Sequence, residues 1–138
     1  MSVRRGQCLC GAVTFTAEKV DTEVGACHCR MCQRWSGGIF IAVTSSGVSF
    51  EGEEHIRIYR SSDWAERASC SKCGTLLFYR LLDSGEYEMA IGVFDDQSDF
   101  VMAGEIFIDR KPDAYAMAGE HPRLTEAETL ERYKELAK

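Results

Sequence analysis

Long hydrophobic runs are missing from these 138 residues. None approaches the roughly 18 apolar residues that a membrane-spanning helix needs, so no membrane partner is expected. The start, Met1-Ser2-Val3-Arg4-Arg5-Gly6, reaches Cys8 without an apolar stretch. A secretory leader is therefore not expected, and the expected location is the cytoplasm. Positive charge is in short supply: 16 Lys and Arg stand against 22 Asp and Glu, a net charge of −6. That balance argues against nucleic acid or an anionic membrane surface as a partner. Proline is nearly absent, with only Pro112 and Pro122, both late in the chain. Repeats, low-complexity tracts and linkers are also lacking. The length fits one domain over 1–138. A hydrophobic share of 45% and a charged share of 28% exclude a disordered chain.

Glycine is what punctuates the chain, at 12 positions. The short segments between turns alternate in the manner of strands. Val13 to Thr16, Ile39 to Thr44, Val48 to Glu51, Ile56 to Tyr59, Leu76 to Tyr79, Tyr87 to Phe94 and Glu105 to Ile108 each read this way. The turn Gly52-Glu53-Glu54 separates two of them. This spacing predicts a mainly β domain of antiparallel strands. The end of the chain differs. From about 125 to 137 the residues are strong helix formers, and Thr125-Glu126-Ala127-Glu128 has the form of a capping box. Leu130, Tyr133, Leu136 and Ala137 fall on one stripe, which predicts a C-terminal α-helix docked by that stripe.

Seven cysteines are present: Cys8, Cys10, Cys27, Cys29, Cys32, Cys70 and Cys73. An odd number cannot close into internal disulfides without a remainder, and in a reducing compartment they stay thiols. They also occur only in tight groups, which is the habit of metal ligands. In the extended segment Cys8-Leu9-Cys10 both thiols point one way and Leu9 the other. In Cys70-Ser71-Lys72-Cys73-Gly74 two intervening residues wrap the chain around an ion, with Gly74 supplying a positive φ. Together these four thiolates make a closed tetrahedral set, the form of structural zinc. Lys72 offsets part of its negative charge.

Cys27-His28-Cys29-Arg30-Met31-Cys32 offers three more thiolates and leaves a fourth position unassigned. Two readings stand side by side. One is a catalytic zinc with an open position. The other is a second structural zinc closed by His28, His55, His121 or a carboxylate. Extended geometry turns His28 away from Cys27 and Cys29, while His55 and His121 sit in polar stretches and are expected at the surface. Arg30 and Arg34 flank the motif and suit the carboxylates of a small thiol, or else surface ion pairs. Trp35-Ser36-Gly37-Gly38 reads as a substrate loop or as an ordinary turn before a strand.

Three stretches carry a resemblance: Gly6-Gln7-Cys8-Leu9-Cys10-Gly11, Cys27-His28-Cys29-Arg30-Met31-Cys32-Gln33-Arg34-Trp35-Ser36-Gly37, and Ser69-Cys70-Ser71-Lys72-Cys73-Gly74-Thr75. In type and order they resemble the glutathione-dependent formaldehyde-activating enzyme and centromere protein V (GFA) family. Ile106-Phe107 with Lys111-Pro112, and Pro122, is similar to that family's C-terminal signature, so the likeness runs over about 4–123. It implies a β-tent zinc fold in which sheets meet. It also implies two zinc ions: a structural one on Cys8, Cys10, Cys70 and Cys73, and a catalytic one on Cys27, Cys29 and Cys32. The implied activity is that of a carbon–sulfur lyase or synthase, joining formaldehyde to glutathione as S-(hydroxymethyl)glutathione. The competing reading is a non-catalytic zinc module that binds glutathione, another thiol or a protein. One departure stands out: Ala114-Tyr115 occupies a stretch where the family usually has Trp, so a different substrate follows if that ring lines the pocket.

Overall fold

The computed structural model describes residues 2–136. Eight strands dominate it: β1 (Ser2–Gln7), β2 (Thr14–Cys27), β3 (Phe40–Glu51), β4 (Ile56–Arg60), β5 (Ala65–Cys70), β6 (Leu76–Leu81), β7 (Tyr87–Ala90) and β8 (Val101–Ile106). Two helices accompany them, α1 (Arg30–Ser36) and α2 (Glu126–Leu136). The fold is mainly antiparallel sheet with a C-terminal helix, as the alternation predicts. Strands β2 and β8 are an exception, because they pair in parallel.

The chain forms two compact units. One joins the residues up to Thr22 with Ala42–Phe100, and the other joins Glu23–Ile41 with the chain from Val101 onward. In the first unit the strand order is β1-β2-β3-β7-β6-β5-β4. Register explains its core. Ala68 faces Phe78, Phe78 faces Met89 and Met89 faces Val43 across four strands. All four are buried, and the period of two sends the neighbouring row to the other face. That row is Arg67, Tyr79, Glu88 and Thr44. Rings close the core at its ends: Phe15 meets Phe94 edge-on at 5.2 Å, and Phe78 meets Tyr87 at 4.8 Å. The acidic turn Asp95-Asp96-Asp99 serves a structural purpose here. The buried Arg4 donates from Nη1 to the Asp96 carbonyl at 2.8 Å and lies 3.6 Å from the Asp99 carboxylate.

Several expected elements shift. The segments at Ile39 to Thr44 and Val48 to Glu51 are one continuous strand, β3. The stretch from Tyr87 to Phe94 stops pairing at Ala90 and becomes a 3₁₀ turn over Ile91–Val93. Likewise β8 ends at Ile106, and Ile108–Arg110 is a 3₁₀ turn.

In the second unit α2 starts on the predicted capping box. The Glu128 N–H donates to Thr125 Oγ1 at 3.2 Å, and the Thr125 N–H donates back to Glu128 Oε1 at 2.9 Å. Its docking face is not the predicted stripe. Leu130 and Tyr133 are half exposed, at 54% and 50%, whereas Thr129 is fully buried. The Thr129 hydroxyl donates to the Thr125 carbonyl at 2.7 Å and accepts from the Phe107 N–H at 3.3 Å. Polar anchoring at the first turn therefore replaces apolar docking. The Leu136 side chain and Ala137, also placed on that stripe, lie outside the described residues.

Candidate functional site: two thiol clusters

All seven cysteines are free thiols. They gather into two clusters, one of Cys8, Cys10, Cys70 and Cys73 and one of Cys27, Cys29 and Cys32, with the sulfurs of each within 4.8 Å of one another.

The four-thiol cluster belongs to the first unit. The first knuckle is a turn and not the expected extended segment: the Gly11 N–H donates to the Cys8 carbonyl at 3.2 Å, with Cys8 buried and Leu9 84% exposed. The sulfurs of Cys8 and Cys10 stand 3.7 Å apart, and those of Cys10 and Cys70 3.9 Å. Each knuckle ends on a glycine with positive φ, Gly11 at 80° and Gly74 at 79°, a conformation that other residues adopt only under strain. Thr75 ties the two knuckles together. Its hydroxyl accepts the Leu9 N–H at 3.0 Å and lies 3.1 Å from Cys73 Sγ, to which it donates. Bonds from the Thr75 side chain and backbone hold the Cys73 thiol down at about 5. For Cys10 the Ala12 N–H acts downward, but burial and the three neighbouring thiols outweigh it and push the group up to about 11.

The three-thiol cluster belongs to the second unit. Strand β2 pairs with β8 up to Cys27 opposite Ile106. Cys29 then caps α1, its sulfur accepting the Cys32 N–H at 3.3 Å. Cys32 lies in the first turn of that helix and is buried. Bonding to the sulfurs of Cys29 and Cys32, reinforced by burial, pushes the Cys27 thiol far up. Among the described residues no fourth His, Cys, Asp or Glu joins the group. Sequence reasoning left His28 and His121 open as closing ligands, and both are committed elsewhere. His28 Nε2 lies 2.7 Å from Glu105 Oε1, and His121 Nε2 lies 2.6 Å from Glu105 Oε2. The expectation that His121 lies at the surface is thus corrected, since its side chain is 3% exposed. His55 faces Glu54 at 3.5 Å, with its side chain 29% exposed.

Helix α1 was not foreseen, and it carries both arginines. Arg30 and Arg34 are exposed, and Arg30 Nη1 donates to Gln33 Oε1 at 2.6 Å. The Trp35-Ser36-Gly37-Gly38 stretch ends this helix as a turn. Gly37 caps it with a φ of 83°, and Trp35 packs on Phe40 at 4.9 Å between ring centres.

Sequence reasoning also missed Glu105. Its one signal was an acid at the end of an apolar strand. Burial pushes its carboxyl up, but bonds from His121, His28 and Arg123 outweigh that and hold it below the ordinary carboxylate range. Tyr115, at the point of departure from the family pattern, places its hydroxyl 3.3 Å from His28 Nδ1. Phe107 follows β8 with a φ of 57°, the one non-glycine with positive φ among the described residues. Such strain costs on the order of 1 kcal/mol and persists only where surrounding contacts enforce it.

The chain is 29% identical to a Schizosaccharomyces pombe protein named an uncharacterized lyase, over 91% of this chain and 93% of that one. Its fold matches a crystal structure of a Rhodobacter sphaeroides protein with a TM-score of 0.58, covering 86% of this chain and 98% of that one at 22% identity. Residues 3–110, which contain both thiol clusters, match the model of the glutathione-dependent formaldehyde-activating enzyme family, and the chain belongs to that family.

Proposed function

We propose that this protein is a zinc-dependent enzyme that makes and breaks the carbon–sulfur bond of a thiol adduct, of the S-(hydroxymethyl)glutathione synthase type. The carrying observation is the convergence of Cys27, Cys29 and Cys32 without a fourth protein ligand among the described residues. The family and the lyase name of the yeast relative support the reaction class. The donor sets support the metal. Four clustered sulfurs fit a structural zinc on Cys8, Cys10, Cys70 and Cys73, and three fit a second zinc that keeps a place for substrate. Seven free thiols also suit a reducing compartment such as the cytoplasm.

The three cysteinyl sulfurs hold the metal and bring net negative charge to it. That charge makes the centre a poor activator of water and leaves it suited to a soft ligand. A zinc ion there would supply ionisation of the incoming thiol at neutral pH. At that pH a free thiol of ordinary pKa near 8.5 is only a few per cent ionised, so the gain is about ten- to a hundredfold. Arg30 and Arg34 on α1 pair with the carboxylates of glutathione. In the synthase direction the sulfur attacks the carbonyl carbon of formaldehyde. The carbon–sulfur bond forms, the carbonyl pair moves to oxygen, and that oxygen takes the proton the thiol gave up. The lyase direction reverses each step.

Exchange spectroscopy on an equilibrium mixture of glutathione and formaldehyde tests this. Interconversion is expected to be faster with the wild-type protein than with the Cys29→Ser variant. Equal rates would reject the enzyme and favour a module that binds thiols without turning them over.

A further inference from the structure

Glu105 has no part in the reaction as proposed, yet it is the most heavily bonded side chain near the three-thiol motif. It is 1% exposed, with His28 on one carboxylate oxygen and both His121 and Arg123 on the other, at 2.7, 2.6 and 2.8 Å. Its backbone is pinned as well, donating to the Pro122 carbonyl at 3.0 Å and accepting from the Leu124 N–H at 2.9 Å. An ionised carboxylate only accepts, so Nε2 of both histidines carries the proton.

His28 is the residue between two ligands, and all four of its polar groups are engaged. Its N–H donates to the Ile106 carbonyl at 3.1 Å, and its carbonyl accepts from Gln33 Nε2 at 2.6 Å. Nε2 meets Glu105, and Nδ1 meets Tyr115. Gln33 is anchored in turn, donating also to the Arg110 carbonyl at 2.9 Å. In an extended segment the side chains of Cys27 and Cys29 leave on the face opposite His28. Fixing the imidazole therefore fixes where both sulfurs point. Burying a carboxylate and two imidazoles is costly unless each is paired, and here the pairing is complete.

We propose that Glu105, acting through His28 and seconded by Gln33, is the positioning residue of the three-thiol centre and sets how tightly that centre holds a zinc-class cation. This rests on the reading of Cys27, Cys29 and Cys32 as metal ligands. Orienting partners behind a metal centre are typically worth about ten- to a hundredfold in affinity.

Cobalt(II) serves as the probe, with chelator competition for affinity and the sulfur-to-cobalt charge-transfer bands for geometry. The four-thiol cluster in the same chain is the internal reference. Glu105→Gln and His28→Leu are expected to weaken the three-thiol site by about ten- to a hundredfold and to shift its bands. The reference site should stay unchanged. His28→Gln keeps a donor that reaches Glu105 and is expected to restore most of the affinity. Gln33→Leu, on the surface of α1, carries the test if His28→Leu does not fold, with the same selective loss expected. An unchanged three-thiol site, or a parallel loss at both sites with no rescue by His28→Gln, overturns the proposal. Wild-type protein that takes up a single cobalt overturns the metal reading beneath it instead.

Discussion

Glu88 should make the protein less stable as pH rises, and Glu88→Gln should remove that dependence. The carboxyl lies on β7 between Tyr79 of β6 and Thr44 of β3, and the Thr44 hydroxyl donates to it at 2.9 Å. Burial pushes its pKa from 4.5 to about 7. The Thr44 bond opposes this, and the nearby carboxylates Glu86 and Asp21 add to it. A carboxyl raised in the folded state is stabilising when protonated. Its contribution is complete below the unfolded value and is lost as pH climbs through the folded one. The full shift corresponds to about 3 kcal/mol. Integrating the linkage between those two values, the penalty is about 1 kcal/mol at pH 5.5 and about 3 kcal/mol at pH 8.5. Glutamine fills the same space, accepts from Thr44 through its carbonyl and does not titrate. Urea unfolding of metal-loaded wild type and Glu88→Gln at both pH values gives the difference directly. Metal loss affects both proteins alike and cancels. The variant's advantage should grow by about 2 kcal/mol from pH 5.5 to 8.5. A constant advantage, or one that shrinks with pH, refutes the reasoning.

Metal analysis with circular dichroism should separate the two clusters. Cys70→Ser should unfold or strongly destabilise the protein, because a structural zinc contributes directly to folding, while Cys29→Ser should stay folded and lose one metal. A folded Cys70→Ser protein retaining one metal, or wild type with one zinc, contradicts this. Arg30→Ala combined with Arg34→Ala should weaken glutathione binding by about tenfold or more in calorimetry, given about 1.5–3 kcal/mol per charged hydrogen bond. Unchanged affinity would leave both as surface charges. Thr75→Val removes the hydroxyl shared by Leu9 and Cys73, and competition with a chelator should show zinc held about tenfold less tightly at the four-thiol cluster. An unaltered affinity would reduce Thr75 to a spacer.

The sheet was legible because its signal is local. A period of two marks a half-buried strand, and Val43, Phe78 and Met89 fall on the buried row that period predicts. Strand ends were less legible because they depend on what the strand meets. Nothing within Tyr87 to Phe94 says that pairing stops at Ala90, opposite Ala42 and two residues short of where β3 begins at Phe40. The parallel pairing of β2 with β8 joins residues some 78 positions apart, from Glu23 to Val101, and no local pattern encodes such a partner. Helix α1 escaped for another reason. Seven residues are too few for periodicity to speak, and its start is capped by a sulfur, Cys29, which is not among the usual capping side chains.

The same division runs through the site. The clustered thiols are written in the sequence by their spacing, because a two-residue gap, or at Cys27 and Cys29 a single residue in an extended chain, itself brings two sulfurs together. Residues that bond to these motifs from a distance are written nowhere near them. Glu105 is 77 positions from His28, and Thr75 is 66 from Leu9. Glu105 lies on β8, and Thr75 immediately precedes β6. His28 shows both sides at once. Its position between two cysteines foretold that it faces away from their thiols, but not what it faces. A histidine turned from those thiols into the interior must find a partner there or leave two ring nitrogens unpaired. Glu105 meets that requirement, and Arg123 together with His121 keeps the carboxylate from being an isolated buried charge in its turn. Spacing thus gathers the thiols, while the buried polar network behind His28 is assembled from residues distant in the chain.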